Sequence, residues 1–358
     1  MKKGIIFVPF MTGYGGTETV IHNLLYGESI AHSDIQIAVY SLGGSVNYEW
    51  AKGFDVRIKW ISKYRLLRTL YYLICLPFVE LKIIKKQQPD FVISTNPVMW
   101  FLAGISKKIT KYNFPVIAWY HYSLSQKPIK SLFLKQSDAF LAISSGIAKQ
   151  LNQLGVNKKQ IYTILNPVIG KKYVIHRPTD GTRFVYIGRL MLDGQKNLRE
   201  LFNALQHVEG NWTLDLYGSG ENQQDLRDYI KKCGIENHLK FHGFVEDPWA
   251  AIQSATCLIM TSKYEGLPMV LCEAIQHGLY CVSSNIETGP DDIINHNNGQ
   301  LYQPGNEQQL SKILNEIVQG RPLPSHQVIQ ASADKFDLAA YIQRFNSAIT
   351  DILEDSDV

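Results

Sequence analysis

Short runs rich in Val, Ile, Phe and Tyr alternate with stretches of helical periodicity along most of the chain, and no other feature limits the fold as much. Strand runs fall at residues 5–8, 35–40, 56–60, 91–94, 116–120, 139–143 and 161–164, with helical patterns at 17–31, 64–87, 98–110 and 144–154 between them. A helix that follows a strand carries the chain back across the sheet, so the next strand pairs in parallel. Repetition of that unit predicts an α/β fold with a parallel sheet covered on both faces.

The alternation pauses at Asn166-Pro167 and across the polar segment 169–182. It resumes with strand runs at 184–187, 213–217, 239–241, 257–260 and 281–283 and helical patterns at 197–206, 222–232 and 268–277. A length of 358 residues suits two domains. The expectation is two doubly wound, Rossmann-like domains, 1–168 and 169–335, facing a central cleft, with an amphipathic segment in 336–358 packing back on the first. Open parallel sheets bind ligands at the carboxyl ends of their strands, so the informative motifs should follow strands.

They do. Gly13-Tyr14-Gly15-Gly16-Thr17-Glu18 follows the first strand and opens a helix, where glycines admit a ligand close to the backbone and free N–H groups favour an anion. It is neither GxGxxG nor a Walker loop, and a plain tight turn explains it equally well. Gly188-Arg189-Leu190 follows the strand at 184–187, and Lys196-Asn197 opens the next helix; a forked guanidinium and an ammonium at one strand end suit a diphosphate. Gly218, in Tyr217-Gly218-Ser219-Gly220, permits close approach by a ligand or a facing domain. The Phe244-Val245 backbone after Gly243 is positioned to meet a base edge.

The segment Ser-Lys-Tyr-Glu-Gly-Leu-Pro-Met-Val-Leu-Cys-Glu (262–273) carries two carboxylates, Glu265 and Glu273, with seven residues between them. Pro268 fits the first helical position, where its missing N–H costs little. Glu265 with Gly266 and Leu267 then lies in the preceding loop, Glu273 lies inside the helix, and the Met269 and Val270 N–H groups point out of its positive end. Two such acceptors hold two hydroxyl-bearing parts of one ligand with phosphates between them, as in a nucleotide sugar. A pair of carboxylates for glycoside hydrolysis is the competing reading.

The set EGLPMVLCE, GRL…GQKN, GYGGTE and the linking Asn-Pro resembles the family 4 retaining glycosyltransferases of the GT-B fold, over nearly the whole chain and in order. Within them GRLMLDGQKN and SSNIETGPDDII are similar to the lipopolysaccharide-core α-1,6-galactosyltransferases. The resemblance implies that Glu273 binds ribose hydroxyls and Glu265 those of the sugar. It implies that Arg189 and Lys196 neutralise the diphosphate, that the Gly15-Gly16 backbone approaches it, and that His121, in WYHYS, lies near the donor sugar. Pro268 stands where many relatives have glycine and cannot donate from its nitrogen. A UDP-sugar is the expected donor, a glycan or glycolipid the acceptor, and no cofactor or metal is expected, since no Asp-x-Asp metal site is evident and Arg189 with Lys196 can replace a divalent ion. A GT-B epimerase, a protein O-glycosyltransferase, a dinucleotide-dependent oxidoreductase and a non-catalytic sugar-nucleotide binder are the alternatives.

Charge bears on partners. Residues 1–168 carry twenty Lys and Arg against eight acidic residues, and 169–358 carry sixteen against twenty-four, so +12 and −8 hide within a total of +4. A basic half argues for an anionic surface. Leu66, Leu67, Leu70, Tyr71, Ile74 and Phe78 beside Lys63, Arg65 and Arg68 either seat the chain on acidic lipid or belong to the core. Nucleic acid is disfavoured by the acidic second half. The five scattered cysteines, with no CxxC, read as buried apolar residues of a reducing compartment. The ten apolar residues 70–79 are too few to span a bilayer. The expected location is cytoplasmic, peripheral on the inner face of the membrane.

Overall fold

The structure is a computed structural model describing residues 1–13, 15–31, 33–169, 173–221 and 223–356. Tyr14 of the glycine-rich loop, Asn222 at the expected start of a helix, and residues 170–172 of the expected linker lie outside the described residues. Contacts divide the chain into two compact units, Met1–Ile169 with Phe336–Val358, and Gly170–Lys335.

The first unit holds a seven-stranded parallel sheet of β1 (Lys2–Val8), β2 (Ile35–Gly43), β3 (Val56–Trp60), β4 (Phe91–Ser94), β5 (Val116–Tyr120), β6 (Ala139–Ala142) and β7 (Ile161–Thr163), in the order β3-β2-β1-β4-β5-β6-β7. Between them run α1 (Gly16–Ala31), α2 (Arg65–Ile74), α3 (Leu76–Gln87), α4 (Pro97–Thr110), α5 (Ser131–Leu134) and α6 (Ser145–Gln153). Ile5 is flanked in register by Ala38 and Val92, and Ile5 through Val8 are all buried. That is why β1 reads as an unbroken apolar run rather than an alternating one. Side-chain caps fix two helix starts: Asn96 accepts from Val98 N–H, and Ser144 from Ile147 N–H.

The single helix expected over 64–87 is two. Pro77 sits in the first turn of α3 and has no N–H to continue the ladder, so α2 stops with Cys75 N–H bonded to Tyr71 O at 2.8 Å. The reading of all five cysteines as buried is also corrected. Cys257, Cys272 and Cys281 are buried, but Cys75 is exposed at the α2–α3 break and Cys233 is half-buried.

The second unit holds a six-stranded parallel sheet of β8 (Thr182–Ile187), β9 (Trp212–Tyr217), β10 (Leu239–Gly243), β11 (Cys257–Met260), β12 (Tyr280–Ser284) and β13 (Gly299–Tyr302), in the order β10-β9-β8-β11-β12-β13. Its helices are α7 (Leu198–Leu205), α8 (Gln223–Lys232), α9 (Pro248–Ala251), α10 (Met269–Gln276), α11 (Pro290–Ile293), α12 (Glu307–Val318) and α13 (His326–Ala331). The last helix, α14 (Leu338–Ser356), belongs to the first unit and packs on α1. A Cβ on Gly27 would lie 2.5 Å from Ile342, so the bare glycine lets the two helices close. In each sheet the strand order reverses once, between β1 and β4 and between β8 and β11. Such switch points leave a crevice at the carboxyl ends of the strands, where ligands bind.

Candidate active site

In the second unit the loops after β8 and β11 flank the switch point and are joined there. Thr261 Oγ1 donates to the carbonyls of Lys196 and Asn197 at 3.1 Å, and Lys263 N–H donates to Gln195 O at 2.8 Å. The β8 loop folds back on itself, with Leu198 N–H on Met191 O at 3.0 Å and Arg199 paired with Asp193 at 2.7 Å. Asn197 takes a left-handed conformation to start α7. Tyr186 donates its hydroxyl to Arg189 O at 2.8 Å.

On this frame four side chains meet. Lys196 Nζ donates to Glu265 Oε1 at 2.6 Å, and both side chains are largely buried (18% and 13% exposed). Gln195 Nε2 donates to Glu265 Oε2 at 3.2 Å and to Tyr264 O at 3.1 Å, while Gln195 Oε1 accepts from Arg189 Nη2 at 2.6 Å. The sequence-predicted Arg189, Lys196 and Glu265 are therefore one network, and Gln195 is its bridge. Sequence reasoning passed over Gln195, although it stands directly before Lys196 in the GQKN motif. The Glu265 loop is held from behind by the loop after β12. Thr288 Oγ1 donates to Glu265 O, and Ser284 Oγ donates to Ser262 O at 2.7 Å.

The glycines of the β9 loop have a measurable role. A Cβ on Gly218 would stand 1.9 Å from Gly188 O, and one on Gly220 1.9 Å from Leu190 O. What approaches these glycines so closely is the backbone of the Arg189 loop, stitched to theirs by Gly188 N–H to Tyr217 O and Leu190 N–H to Ser219 O, both at 2.9 Å. Gly218 N–H is bonded to Gly243 O at 2.7 Å, which leads the chain to a strongly exposed Phe244 and a half-buried Val245.

The expectation for Pro268 is corrected by one position. It caps α10 in an extended conformation, and Met269 is the first helical residue. Met269 and Val270 thus occupy the first turn, where N–H groups lack intrahelical partners, with buried Leu267 and half-buried Gly266 before them. Glu273 lies in a second cluster. Its Oε2 accepts from Trp249 Nε1 at 2.9 Å, the Trp249 ring lies 5.0 Å from that of His277, and burial raises the Glu273 carboxyl above the usual carboxylate range. Trp249 is the other partner that the sequence did not announce.

In the first unit, Glu18 turns back from α1 and its Oε1 accepts from Thr12 N–H at 2.9 Å and Gly13 N–H at 2.8 Å. Two amides of the glycine-rich loop are therefore already used by the protein. Gly16 has open space where a Cβ would stand, whereas one on Gly15 would meet Glu18. Tyr122 hydrogen-bonds Thr17, which brings the His121 segment beside that loop. His121 packs its ring 4.6 Å from Trp119, its Nε2 is buried without a protein partner, and burial pushes its pKa down to about 3. It is a neutral imidazole at physiological pH. Among the described residues no group of three or more His, Cys, Asp and Glu side chains is arranged to hold a metal ion.

Two Rossmann-like parallel sheets, with cationic and acidic side chains gathered at a switch point, define a glycosyltransferase of GT-B architecture. The pattern for glycosyltransferase family 4 matches residues 14–169 and that for glycosyl transferases group 1 matches residues 171–335. Lipopolysaccharide 1,6-galactosyltransferase of Escherichia coli K12 is 32% identical over 95% of both chains, and that of Salmonella typhimurium LT2 is 29% identical over 95% of this chain and 96% of its own. The apo structure of the lipopolysaccharide outer core galactosyltransferase WaaB superposes with a TM-score of 0.86 at 29% identity, covering 97% of this chain and 99% of that one. Anabaena HepE, solved with UDP, has a TM-score of 0.80 at 19% identity over 98% and 100% of the two chains, and shares the fold. The chain belongs to the family 4 glycosyltransferases.

Proposed function

We propose that this glycosyltransferase moves a hexose, galactose or glucose, from a UDP-sugar to a glycan or glycolipid acceptor of cell-surface polysaccharide or lipopolysaccharide, with retention at the anomeric carbon and without a divalent ion. The observation that carries the reading is the Arg189–Gln195–Glu265–Lys196 network at the switch point of the second sheet. The two lipopolysaccharide 1,6-galactosyltransferases support the acceptor class, and structures of Anabaena HepE with UDP and UDP-glucose support the donor.

The reaction breaks the bond between the anomeric carbon and a phosphate oxygen of UDP and forms one to an acceptor oxygen. Negative charge grows on the departing diphosphate. Arg189, Lys196 and the Met269 and Val270 N–H groups at the start of α10 stabilise that charge more in the transition state than before it. Lys196 is poised between two anions, since it already neutralises Glu265. Donor binding lets it share its charge with phosphate while Glu265 accepts a sugar hydroxyl. Glu273 takes the ribose hydroxyls, with Trp249 fixing one of its oxygens. Phe244 and Val245 border the base, and Gly188 and Gly218 keep the cation loop close to the sheet. On the first unit, the family resemblance assigns the Gly15-Gly16 backbone and neutral His121 to donor binding as well. The acceptor hydroxyl attacks from the face that the diphosphate leaves, and its proton passes to the departing phosphate oxygen.

Acceptor and donor of these classes meet at a membrane surface, so the enzyme acts peripherally on the cytoplasmic face. No described helix is long and apolar enough to cross a membrane. A UDP- and GDP-release screen over UDP-Gal, UDP-Glc, UDP-GlcNAc and GDP-Man with crude glycolipid tests the reading. Acceptor-dependent UDP release from one UDP-hexose, undiminished by excess EDTA, is expected. Release only from GDP-Man, or only on addition of Mg²⁺ or Mn²⁺, contradicts it.

A further inference from the structure

A surface helix normally turns its apolar stripe to the core. The α2 helix does the reverse. Leu66, Leu70, Leu73 and Ile74 recur at the spacing of one helical face, with Leu67 beside them, and all five are between 46% and 72% exposed. No residue of α2 is buried. The side that meets the protein carries Arg68 and Tyr72 instead. The Arg68 guanidinium lies 3.9 Å from the Phe10 ring centroid and donates to Ser62 O and Lys63 O at 2.9 Å, and the Tyr72 hydroxyl accepts from Phe10 N–H at 3.1 Å. Phe78, 73% exposed in the first turn of α3, adds to the apolar surface after the Pro77 break. The reading as core is therefore excluded for Leu66, Leu67, Leu70, Ile74 and Phe78, whereas Tyr71 is half-buried.

The charged residues of this segment are almost all of one sign. Between residues 56 and 89 the chain carries eight Lys and Arg against one acidic residue, Glu80. Glu80 is fully buried, its carboxylate oxygens find no hydrogen-bond partner, and burial raises its pKa well above the usual range, so it adds no negative charge to the surface. Phe78 and Leu81 line a shallow concavity together with Lys82, Lys85 and Lys86, which puts apolar and cationic groups on one face.

We propose that α2 and the start of α3 form a membrane anchor: the Leu66, Leu70, Leu73, Ile74 and Phe78 side chains enter the boundary between headgroups and acyl chains of an anionic bilayer, and Lys82, Lys85 and Lys86 hold its headgroups. An exposed apolar strip with exposed Lys82, Lys85 and Lys86 beside it matches that surface in both hydrophobicity and charge. A second copy of the chain fits worse, because a twofold contact sets the exposed Lys63, Arg65, Lys82, Lys85 and Lys86 of each copy against the same cations. The proposal deepens the membrane-surface reading above and uses none of the transfer chemistry.

The test is flotation with phosphatidylcholine vesicles containing 30% phosphatidylglycerol against pure phosphatidylcholine, for the wild type, Leu66→Ser/Leu70→Ser/Leu73→Ser, and Lys82→Gln/Lys85→Gln/Lys86→Gln. None of the substituted leucines is buried, so the leucine variant should keep the wild-type melting temperature. Wild type is expected to float with the anionic vesicles alone, and each triple variant to lose at least about tenfold in partitioning. Exposed Cys75 gives a second readout. In a Cys233→Ser background, an environment-sensitive fluorophore on Cys75 should shift to the blue with anionic vesicles only. Equal absence from both vesicle types, or undiminished partitioning of the leucine variant, overturns the proposal. Self-association that the leucine variant abolishes, without vesicle binding, assigns the face to a second copy and overturns it too. UDP release with a detergent-dispersed acceptor should be unchanged in the leucine variant. Wild type that releases UDP yet does not float counts against the anchor alone, and wild type that floats without releasing UDP counts against the transfer reading alone.

Discussion

Lys196→Ala separates what Lys196 does for the fold from what it does for the reaction. In the folded chain its ammonium is 2.6 Å from Glu265, with both side chains less than one-fifth exposed. Removing one partner of a fully buried pair costs about 3–5 kcal/mol, because the other charge is stranded. Here residual solvent and the Gln195 amide at 3.2 Å remain, so about 2 kcal/mol is a reasonable loss. In a unit of this size that lowers the melting temperature by roughly 4–8 °C. The catalytic loss has a different origin, the charge on departing diphosphate, and should be about 10²–10³ in kcat. Adding Glu265→Gln removes the stranded carboxylate. The double variant should therefore regain most of the stability while kcat stays at or below that of Lys196→Ala. Differential scanning fluorimetry and initial rates of UDP release read the two quantities on one preparation. A kcat for Lys196→Ala within about threefold of wild type, or one that recovers in the double variant together with stability, refutes the leaving-group role.

Gln195→Ala should lower kcat by on the order of 10-fold, the loss of one orienting hydrogen-bond bridge. Gln195→Glu should be worse, since it sets a second carboxylate against Glu265; steady-state kinetics of the two check this. Glu80 is held protonated in the fold, whereas the unfolded chain ionises near pH 4.5, so its stability contribution is lost as pH rises above that value, by up to about 1.4 kcal/mol per pH unit. Glu80→Gln should remove the slope, and chemical denaturation at pH 5 and pH 8 should show a stability advantage that grows with pH. His121 stays neutral down to about pH 3, so acid costs stability from about pH 6.5 downward, and its imidazole should show no NMR titration between pH 5 and 8. A midpoint near 6.5 would contradict the buried, unpartnered environment.

The elements most legible in the sequence were those with a strong local cause. The apolar runs at 91–94, 116–120 and 257–260 became β4, β5 and β11 to the residue, because buried parallel strands leave little choice but β-branched and aromatic side chains, and the alternating run at 56–60 became β3, the edge strand of the first sheet. Strand β13 was not foreseen: Gly-Gln-Leu-Tyr is short, and its strand character comes from pairing with β12. The break at Cys75 was visible as Pro77, yet the continuing periodicity on either side masked it. At the site, residue types and strand ends were readable, but the pairing of Lys196 with Glu265 spans sixty-nine positions and depends on the neighbouring order of β8 and β11. Gln195 and Trp249 carry no charge and belong to no spacing rule, so only the folded arrangement reveals them beside Glu265 and Glu273. The α2 stripe shows the same limit from the other side: periodicity names the apolar face but not what it turns towards.

The central claim is that the cations after β8 hold the diphosphate of an activated sugar. A crystal structure with UDP bound tests it most directly. The account predicts β-phosphate oxygens within hydrogen-bonding distance, about 3 Å, of both Arg189 and Lys196, with the ribose on Glu273. Phosphates bound away from both side chains, or a nucleotide seated outside the β8–β11 crevice, would contradict it.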